Sequence, residues 1–307
     1  MNIIHAANEL KPAGRKVCLA IGFFDGVHLG HQQIIRQTLA DARQHDALAL
    51  ALTFDRHPNA VVAPDQVPPL IYSLPQKLHA MESLGVDALL LIHFDEHFRR
   101  QSGEEFIRSL ARDVGQIQSL CVGADFVFGR SRSGDVSLLK KLGGEMGFAV
   151  HGLAAVSLDG QVVSSTRIRE LIRAGDLDAA GQMLGRPYAI SGRVIAGNRL
   201  GQQLGFPTAN LDTTGLVLPP NGVYAGIAHI RGKIHRAAIN IGFRPTVASG
   251  TQVAYTEAHL LDFQGDIYQQ ELELEIGEKL REERKFSSTI ELREQIARDI
   301  AVVASKT

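Results

Sequence analysis

The segment GFFDGVHLGH at 22–31 sets two histidines, His28 and His31, where an apolar run at 17–21 gives way to an amphipathic pattern. Residues three apart share a face of a helix, so both imidazoles can address one ligand. Gly22, Gly26 and Gly30 allow tight turns and close backbone approach, and a helix opening near His31 offers unpaired N–H groups and a positive dipole end to an anion. Imidazoles beside such a site can hydrogen-bond a nucleotide's phosphates and stabilise negative charge building on a transferring phosphorus. The chemistry implied is nucleotidyl transfer. The spacing is G-x-x-x-G-x-x-x-G rather than G-x-G-x-x-G, and no acidic residue closes a strand about twenty residues on, which disfavours a dehydrogenase-type dinucleotide fold. No G-x-x-x-x-G-K-[ST] occurs, so a P-loop is excluded.

Two further groups carry chemistry. Ser164, Ser165, Thr166 and Arg167 gather hydroxyls, amides and a guanidinium ahead of a helical pattern, a set suited to a triphosphate tail; the same residues also make an ordinary N-cap with solvated arginines, Arg169 among them. In GFPTAN, Thr208 and Asn210 stand two apart on an extended segment and can present hard oxygens to a magnesium ion carried by ATP.

These residues need a scaffold. Residues 1–184 alternate apolar strands (17–22, 48–54, 88–94, 119–123, 148–153) with helical patterns near 31–45, 75–84, 102–114 and 135–146, and end in a helical pair over 166–184. That order specifies a parallel α/β sheet. Ser102 to Glu105 forms a capping box for the third helix. Ligands of such sheets sit beyond the carboxyl ends of strands, where His28, His57 and Asp125 fall. After the break at Gly185-Arg186-Pro187, residues 185–307 turn to short alternating strands (188–195, 222–230, 234–241, 271–276), which predict a small antiparallel barrel. A last helix over 288–304, opened by a Ser288 to Glu291 capping box, carries Leu292, Ile296, Ile300 and Val303 toward it.

Composition bounds the rest. With 307 residues, 45% of them hydrophobic, and a net charge of −1, the chain is long enough for two cores and lacks the basic excess of a nucleic-acid binder. Apolar runs such as 47–54 and 88–92 are too short to span a bilayer, and no basic-then-apolar leader opens the sequence, so a cytoplasmic protein without a membrane partner is expected. Cys18 and Cys121 lie in apolar segments without a C-x-x-C partner and are expected as buried free thiols.

The histidine segment resembles the H-x-G-H signature of the nucleotidyltransferase superfamily, in the form found in bacterial bifunctional riboflavin kinase/FAD synthetases. TFDRHP at 53–58, VGADFVFGRSRSGD at 122–135, SSTRIRELI at 164–172, LGFPTANL at 204–211, INIGFRPT at 239–246 and EAHLLDF at 257–263 resemble that family's blocks, in order and over nearly the whole chain. The resemblance implies a nucleotidyltransferase-type (Rossmann-like) α/β domain over 1–184 for FMN adenylylation and a riboflavin kinase barrel over 185–307. It implies ATP, riboflavin, FMN and FAD as substrates and products, Mg²⁺ with the ATP, and a monomer or weak homo-oligomer.

It also implies roles. His28, His31 and Arg167 would stabilise charge as the FMN phosphate attacks the α-phosphorus of ATP. Gly22, Phe24, Gly26, Gly30, His57, Ser164, Ser165 and Thr166 would hold the nucleotide, and Asp25 would orient the loop or a hydrated metal, unless it is a turn residue only. Asp125, Phe126 and Phe128 would shape the flavin end, the alternative being a core strand end with two buried aromatics. In the kinase half, Glu257 would be the base, against the usual reading of a lone glutamate as a solvated surface residue. Gly201, Gly205 and Pro207 would flank the phosphate loop, with Thr208 and Asn210 at the metal. Residues 281–286 resemble the flavin-side segment or, equally, a solvated helix end. Arg56 stands where the family commonly has proline, Val127 and Gln202 where it has a basic residue, and Gln269 where glycine follows the tyrosine. A two-step enzyme making FMN and then FAD is the leading reading. A single-activity adenylyltransferase with an inactive barrel and a non-catalytic flavin-binding protein are the alternatives.

Overall fold

The computed structural model describes residues 1–197, 200–245 and 252–306. The chain divides into two compact units, Met1–Pro68 with Leu74–Ser165, and Pro69–Ser73 with Thr166–Thr307. Thr246, the last residue of the INIGFRPT block, lies outside the described residues.

In the first unit the elements run β1 (Asn2–Ile4), β2 (Val17–Ile21), α1 (Leu29–Gln44), β3 (Leu48–Phe54), α2 (Asn59–Val62), α3 (Leu74–Glu82), β4 (Ala88–Ile92), α4 (Gly103–Val114), β5 (Ile117–Gly123), α5 (Val136–Met146), β6 (Ala149–Leu153) and a small hairpin of β7 (Ser157–Leu158) and β8 (Gln161–Val162). Six strands pair in parallel in the order β1-β4-β3-β2-β5-β6. The central strands read as near-continuous apolar runs because both faces are covered. Val17, Leu19 and Ile21 pack with Leu50, Leu120 and the α4 residues Phe106, Ile107 and Leu110. On the other face α1 lies over β5, where Asp41 accepts from Ser119 Oγ at 2.6 Å and Cys121 Sγ at 3.8 Å. Cys18 and Cys121 are buried free thiols, and burial pushes the Cys121 thiol up to about 12. The capping box of α4 is complete, with Glu105 N–H on Ser102 Oγ and Ser102 N–H on the Glu105 carboxylate.

The second unit begins within α6 (Ser165–Ala174) and α7 (Leu177–Leu184) and continues through β9 (Ala189–Ile195), α8 (Leu200–Gln203), β10 (Ala209–Leu211), β11 (Gly222–Ile230), β12 (Lys233–Pro245), β13 (Gln252–Leu260), β14 (Glu271–Arg281) and α9 (Thr289–Ser305). The barrel closes in the order β10-β13-β12-β11-β14-β9, all pairs antiparallel. Arg231 and Gly232, both left-handed at φ 51° and 71°, make the two-residue turn between β11 and β12.

Two barrel strands escape the alternation rule. β10 is three residues in a Gly- and Pro-rich segment, and β13 carries Tyr255, Glu257 and His259 opposite Thr256, Ala258 and Leu260, so its second face is not the solvated surface that the pattern assumes. In α9, Ser288 Oγ accepts the Glu291 N–H at 3.2 Å, but the Glu291 carboxylate reaches the N–H and hydroxyl of Ser287, one residue earlier than the box expects. Only its far end packs as expected, Val303 with Ala225 and Leu261 and Ile300 beside them.

Candidate functional sites

The carboxyl ends of β2, β5 and β6 frame a cavity of about 240 Å³, where the strand order reverses direction. Gly22, Phe24 and His28 line it from the loop after β2, Gly30 and His31 from the first turn of α1, and Asp125 and Phe126 from the loop after β5. Phe24 (φ 55°), Gly26 (φ 75°) and Val27 (φ 41°) take left-handed backbone. Two of the three are not glycine and Val27 is β-branched; such residues cost on the order of 1–3 kcal/mol each and persist only where the surroundings over-determine them. The surroundings do so through the carbonyl groups. Phe23 C=O accepts from Thr53 Oγ1 at 2.9 Å and Lys77 Nζ at 3.3 Å, Phe24 C=O from Val27 N–H at 3.1 Å, Asp25 C=O from Ser165 Oγ at 3.1 Å, and Val27 C=O from Gln32 Nε2 at 3.0 Å.

His28 caps α1, its Nδ1 accepting the His31 N–H at 3.4 Å. In the neutral ring this bond leaves the hydrogen on Nε2. The His31 ring stacks on His28, centroids 3.6 Å apart and 19° from parallel, with Phe24 edge-on at 5.3 Å. Burial, then repulsion from His28 and Lys77, hold His31 well below the usual histidine range. It is therefore a neutral hydrogen-bonding group at pH 7 rather than a cation, and its buried Nδ1 has no partner among the described residues.

Other residues of the set are placed elsewhere. His57 Nδ1 accepts the Asn59 N–H at 3.0 Å and its ring meets Phe23 edge-on at 4.8 Å; it is not on the cavity wall. Phe128 stacks on Phe126 at 5.2 Å and packs over Gly103 and Gly134 beside the core, both rings partly buried. Ser164 and Ser165 fall in the first unit, Thr166 and Arg167 in the second, where Arg167 is half-exposed and pairs with Glu170 at 3.3 Å. Arg169 is not a solvated surface residue: it is buried and donates from Nε to Pro69 C=O at 2.7 Å.

The barrel carries two cavities, of about 790 and 490 Å³. Thr208 and Asn210 line both and form the wall between them. Glu257 stands directly across from Asn210 on β10 and from Asn240 on β12, and all three face the larger cavity. It is thus part of a concave polar row and not an isolated surface carboxylate. Gly201 cannot carry a Cβ, which would collide with Phe206 C=O, while Gly205 turns left-handed at φ 90° outside either lining. Pro207 and Gln202 line the smaller cavity, and His259 Nδ1 fixes the Pro207 carbonyl at 2.8 Å.

Residues 281–286 are not a solvated helix end. Arg281 closes β14, and Arg281 with Glu283, Arg284 and Phe286 walls the larger cavity, both guanidinium groups lying over the Phe286 ring at 5.7 and 4.8 Å. Asp299 of α9 grips Arg281 through three N–H···O contacts of 2.8–3.1 Å and accepts from Gln295 Nε2 at 2.8 Å. Leu292 and Ile296, expected to pack on the barrel, line this cavity instead.

Sequence reasoning gave no role to Asn240, Tyr255, Asp299 or Lys77. Asn240 Nδ2 donates to Tyr255 Oη at 3.3 Å, Tyr255 Oη donates to Glu283, and Asn240 Oδ1 is left buried without a partner among the described residues. Asp299 and Lys77 do leave a trace in sequence, since each is a charge set on the stripe that its helix buries: Leu292, Ile296, Asp299, Val303 in one, Lys77, Ala80, Met81 in the other.

The family model for FAD synthetase matches residues 10–167, and that for riboflavin kinase matches 184–306. Over 301 residues the chain is 38% identical to a bifunctional riboflavin kinase/FMN adenylyltransferase of Pseudomonas fluorescens, covering 98% of this chain and 96% of that protein. The chain belongs to this bifunctional family. The counterpart in Escherichia coli (strain K12) is 37% identical over 97% of this chain and 96% of its own length, and that in Bacillus subtilis (strain 168) 33% identical over 97% and 95%. A crystal structure described as a macrolide-efflux protein from Streptococcus pneumoniae superposes with a TM-score of 0.82 at 27% identity, covering 99% of each chain. No helix among the described residues here is long and apolar enough to cross a membrane. Gln269, named above as a departure from the family pattern, takes left-handed backbone at φ 63°, a conformation that glycine adopts without strain.

Proposed function

We propose that the chain phosphorylates riboflavin to FMN with one ATP and adenylylates FMN to FAD with a second, the kinase step in residues 185–307 and the adenylyl step in residues 1–184. The observation that carries the kinase assignment is the polar row of Asn210, Glu257 and Asn240 beside a wall that divides two cavities. Riboflavin fits the larger cavity, with its apolar and aromatic wall, and ATP the smaller. Glu257 accepts the proton of the terminal ribityl hydroxyl as its oxygen bonds to the γ-phosphorus and the bond to the β-phosphate oxygen breaks, releasing ADP. Thr208 and Asn210 offer a hydroxyl and an amide oxygen, neutral hard donors at the wall that both substrates would share; they suit Mg²⁺ that takes its remaining ligands from ATP and water. When bound there, the ion would offset charge on the transferring phosphate.

For the adenylyl step, an FMN phosphate oxygen bonds to the α-phosphorus of ATP as the bond to the β-phosphate bridge breaks, releasing pyrophosphate. The N-terminus of α1, His28 Nε2–H, neutral His31 and the Ser165 hydroxyl supply hydrogen bonds to the phosphates. The two buried thiols accord with the reducing cytoplasm. Chromatography of the flavins tests the reading: riboflavin with ATP and Mg²⁺ should give transient FMN and then FAD, and FMN with ATP should give FAD. FAD from added FMN alone would reject the kinase assignment, and no product from either incubation would favour a flavin-binding protein.

A further inference from the structure

We propose that Lys77 is a positioning residue of the adenylyl site: its ammonium group, delivered from α3, ties the end of β3 to the left-handed turn that presents His28 and His31. The proposal rests on the reading of that turn as the adenylyl site. Lys77 is only 4% exposed, so its charge has been taken out of water. Its three donors meet three acceptors, Phe54 C=O at 2.7 Å, Phe23 C=O at 3.3 Å and Thr53 Oγ1 at 3.3 Å. Nζ also lies 4.5 Å from the centre of the Phe23 ring, which turns its negative face to the cation. With its donors used within the protein, the side chain acts on the reaction through the loop.

The loop has need of such a tie. Phe24 and Val27 sit in left-handed backbone that neither residue favours, and the carbonyl at its entrance, Phe23 C=O, is held by Lys77 together with Thr53. A buried lysine is an unfavourable way to fill a core, and a methionine would fill the same space without a charge. What the ammonium adds is a bond stronger than a neutral donor makes to the carbonyls fixing the turn.

Charged and titratable groups face Lys77 from three elements: Asp25 in the turn, Asp55 after β3 and His31 on α1. Burial lowers its pKa to about 8, against the pull of Asp25 and Asp55, which raise it. The folded form therefore releases a proton that the unfolded chain holds up to an ordinary lysine value. Folding stability from this group then rises as pH climbs through and above about 8, while the tie itself weakens. Activity and stability move in opposite directions, which a residue that merely props the fold would not produce.

The test measures both activities of the full-length protein, with Lys77→Met as the variant. FMN adenylylation is expected to lose about 10- to 100-fold in kcat with a smaller change in KM for ATP, because the displaced histidines lose their alignment with the transferring phosphorus more than the bound nucleotide loses affinity. Riboflavin phosphorylation by the same preparation should be unchanged, because the barrel belongs to the other unit, and far-UV circular dichroism of the variant reports whether the unit that carries Lys77 is folded. In the unsubstituted protein, the adenylylation kcat should fall as pH rises through about 8, Lys77→Met should stay low and flat, and the melting temperature of the unsubstituted protein should rise relative to the variant over that range. A wild-type kcat in Lys77→Met, or a flat kcat from about pH 7 to 9.5 in the unsubstituted protein, overturns the role of Lys77. If the variant does not fold, that pH profile decides alone. FAD formation that survives His28→Ala overturns the underlying site reading instead, which separates the two failures.

Discussion

Replacing Asp299 with asparagine keeps the shape of the side chain and removes its charge, leaving the Arg281 guanidinium without its counter-ion at the wall of the larger cavity. At about 3 Å and an effective dielectric near 20, the direct attraction is about 5–6 kcal/mol, but the carboxylate no longer has to be desolvated, which returns several kcal/mol. Breaking one partner of a fully buried pair costs about 3–5 kcal/mol net. Here the Asp299 side chain is 8% exposed and that of Arg281 20% exposed, so water relieves part of the residual charge. A loss of about 2–3 kcal/mol follows, or a fall of roughly 6–10 °C in the melting transition that carries kinase activity. Because Arg281 lies over Phe286 in the wall of the cavity proposed for riboflavin, KM for riboflavin should rise several-fold as that wall loosens, while FAD formation from supplied FMN stays as it was. Differential scanning fluorimetry and flavin chromatography read the two effects. A midpoint within about 1 °C of the unsubstituted protein, with an unchanged KM for riboflavin, would show that Asp299 neither holds Arg281 nor shapes the site.

Three other outcomes follow from the same geometry. His28→Ala with His31→Ala should abolish FAD formation from FMN while riboflavin is still phosphorylated; loss of both products from a folded chain would refute separate sites. Glu257→Gln keeps the row with Asn210 and Asn240 but removes the base, so FMN formation should fall by about 10²–10⁴-fold with adenylylation intact, and an unchanged kinase rate would remove Glu257 from its role. Gln269→Gly relieves a left-handed residue at φ 63° in the loop before β14, and should raise the kinase half's melting point by a few degrees, corresponding to about 1 kcal/mol; a lower melting point would mean that the glutamine makes compensating contacts.

The parts of this molecule legible in its sequence are those written by local rules. β2, β3 and β4 are apolar runs between turn residues, α4 announces its start with Ser102 and Glu105, and the H-x-G-H spacing marks the strand-to-helix loop before any contact is known. Elements too short to carry a period were not legible: β1 and α2 have three and four residues, and β10 has three. β13 was hidden for a different reason. Tyr255 and Glu257 of its polar face look into a cavity, so a strand that is polar on one face for the sake of a site has the appearance of an ordinary polar segment.

The site divides in the same way. Glycines, histidines and the Thr208/Asn210 pair declare themselves because their chemistry requires a residue type at a fixed spacing. Lys77 and Asp299 do not, since each acts through a partner that folding alone brings near: Phe23 lies 54 residues from Lys77, and Arg281 lies 18 residues from Asp299. Yet both stand on the buried stripe of an amphipathic helix, where a charge is costly unless paired. A helix that tolerates such a residue must face an acceptor or a counter-ion, and in both halves of this chain the group it faces helps to form the wall of a candidate site. Charge on an apolar stripe is therefore a sequence signal for side chains that hold catalytic loops in place, even where the sequence does not name what they hold.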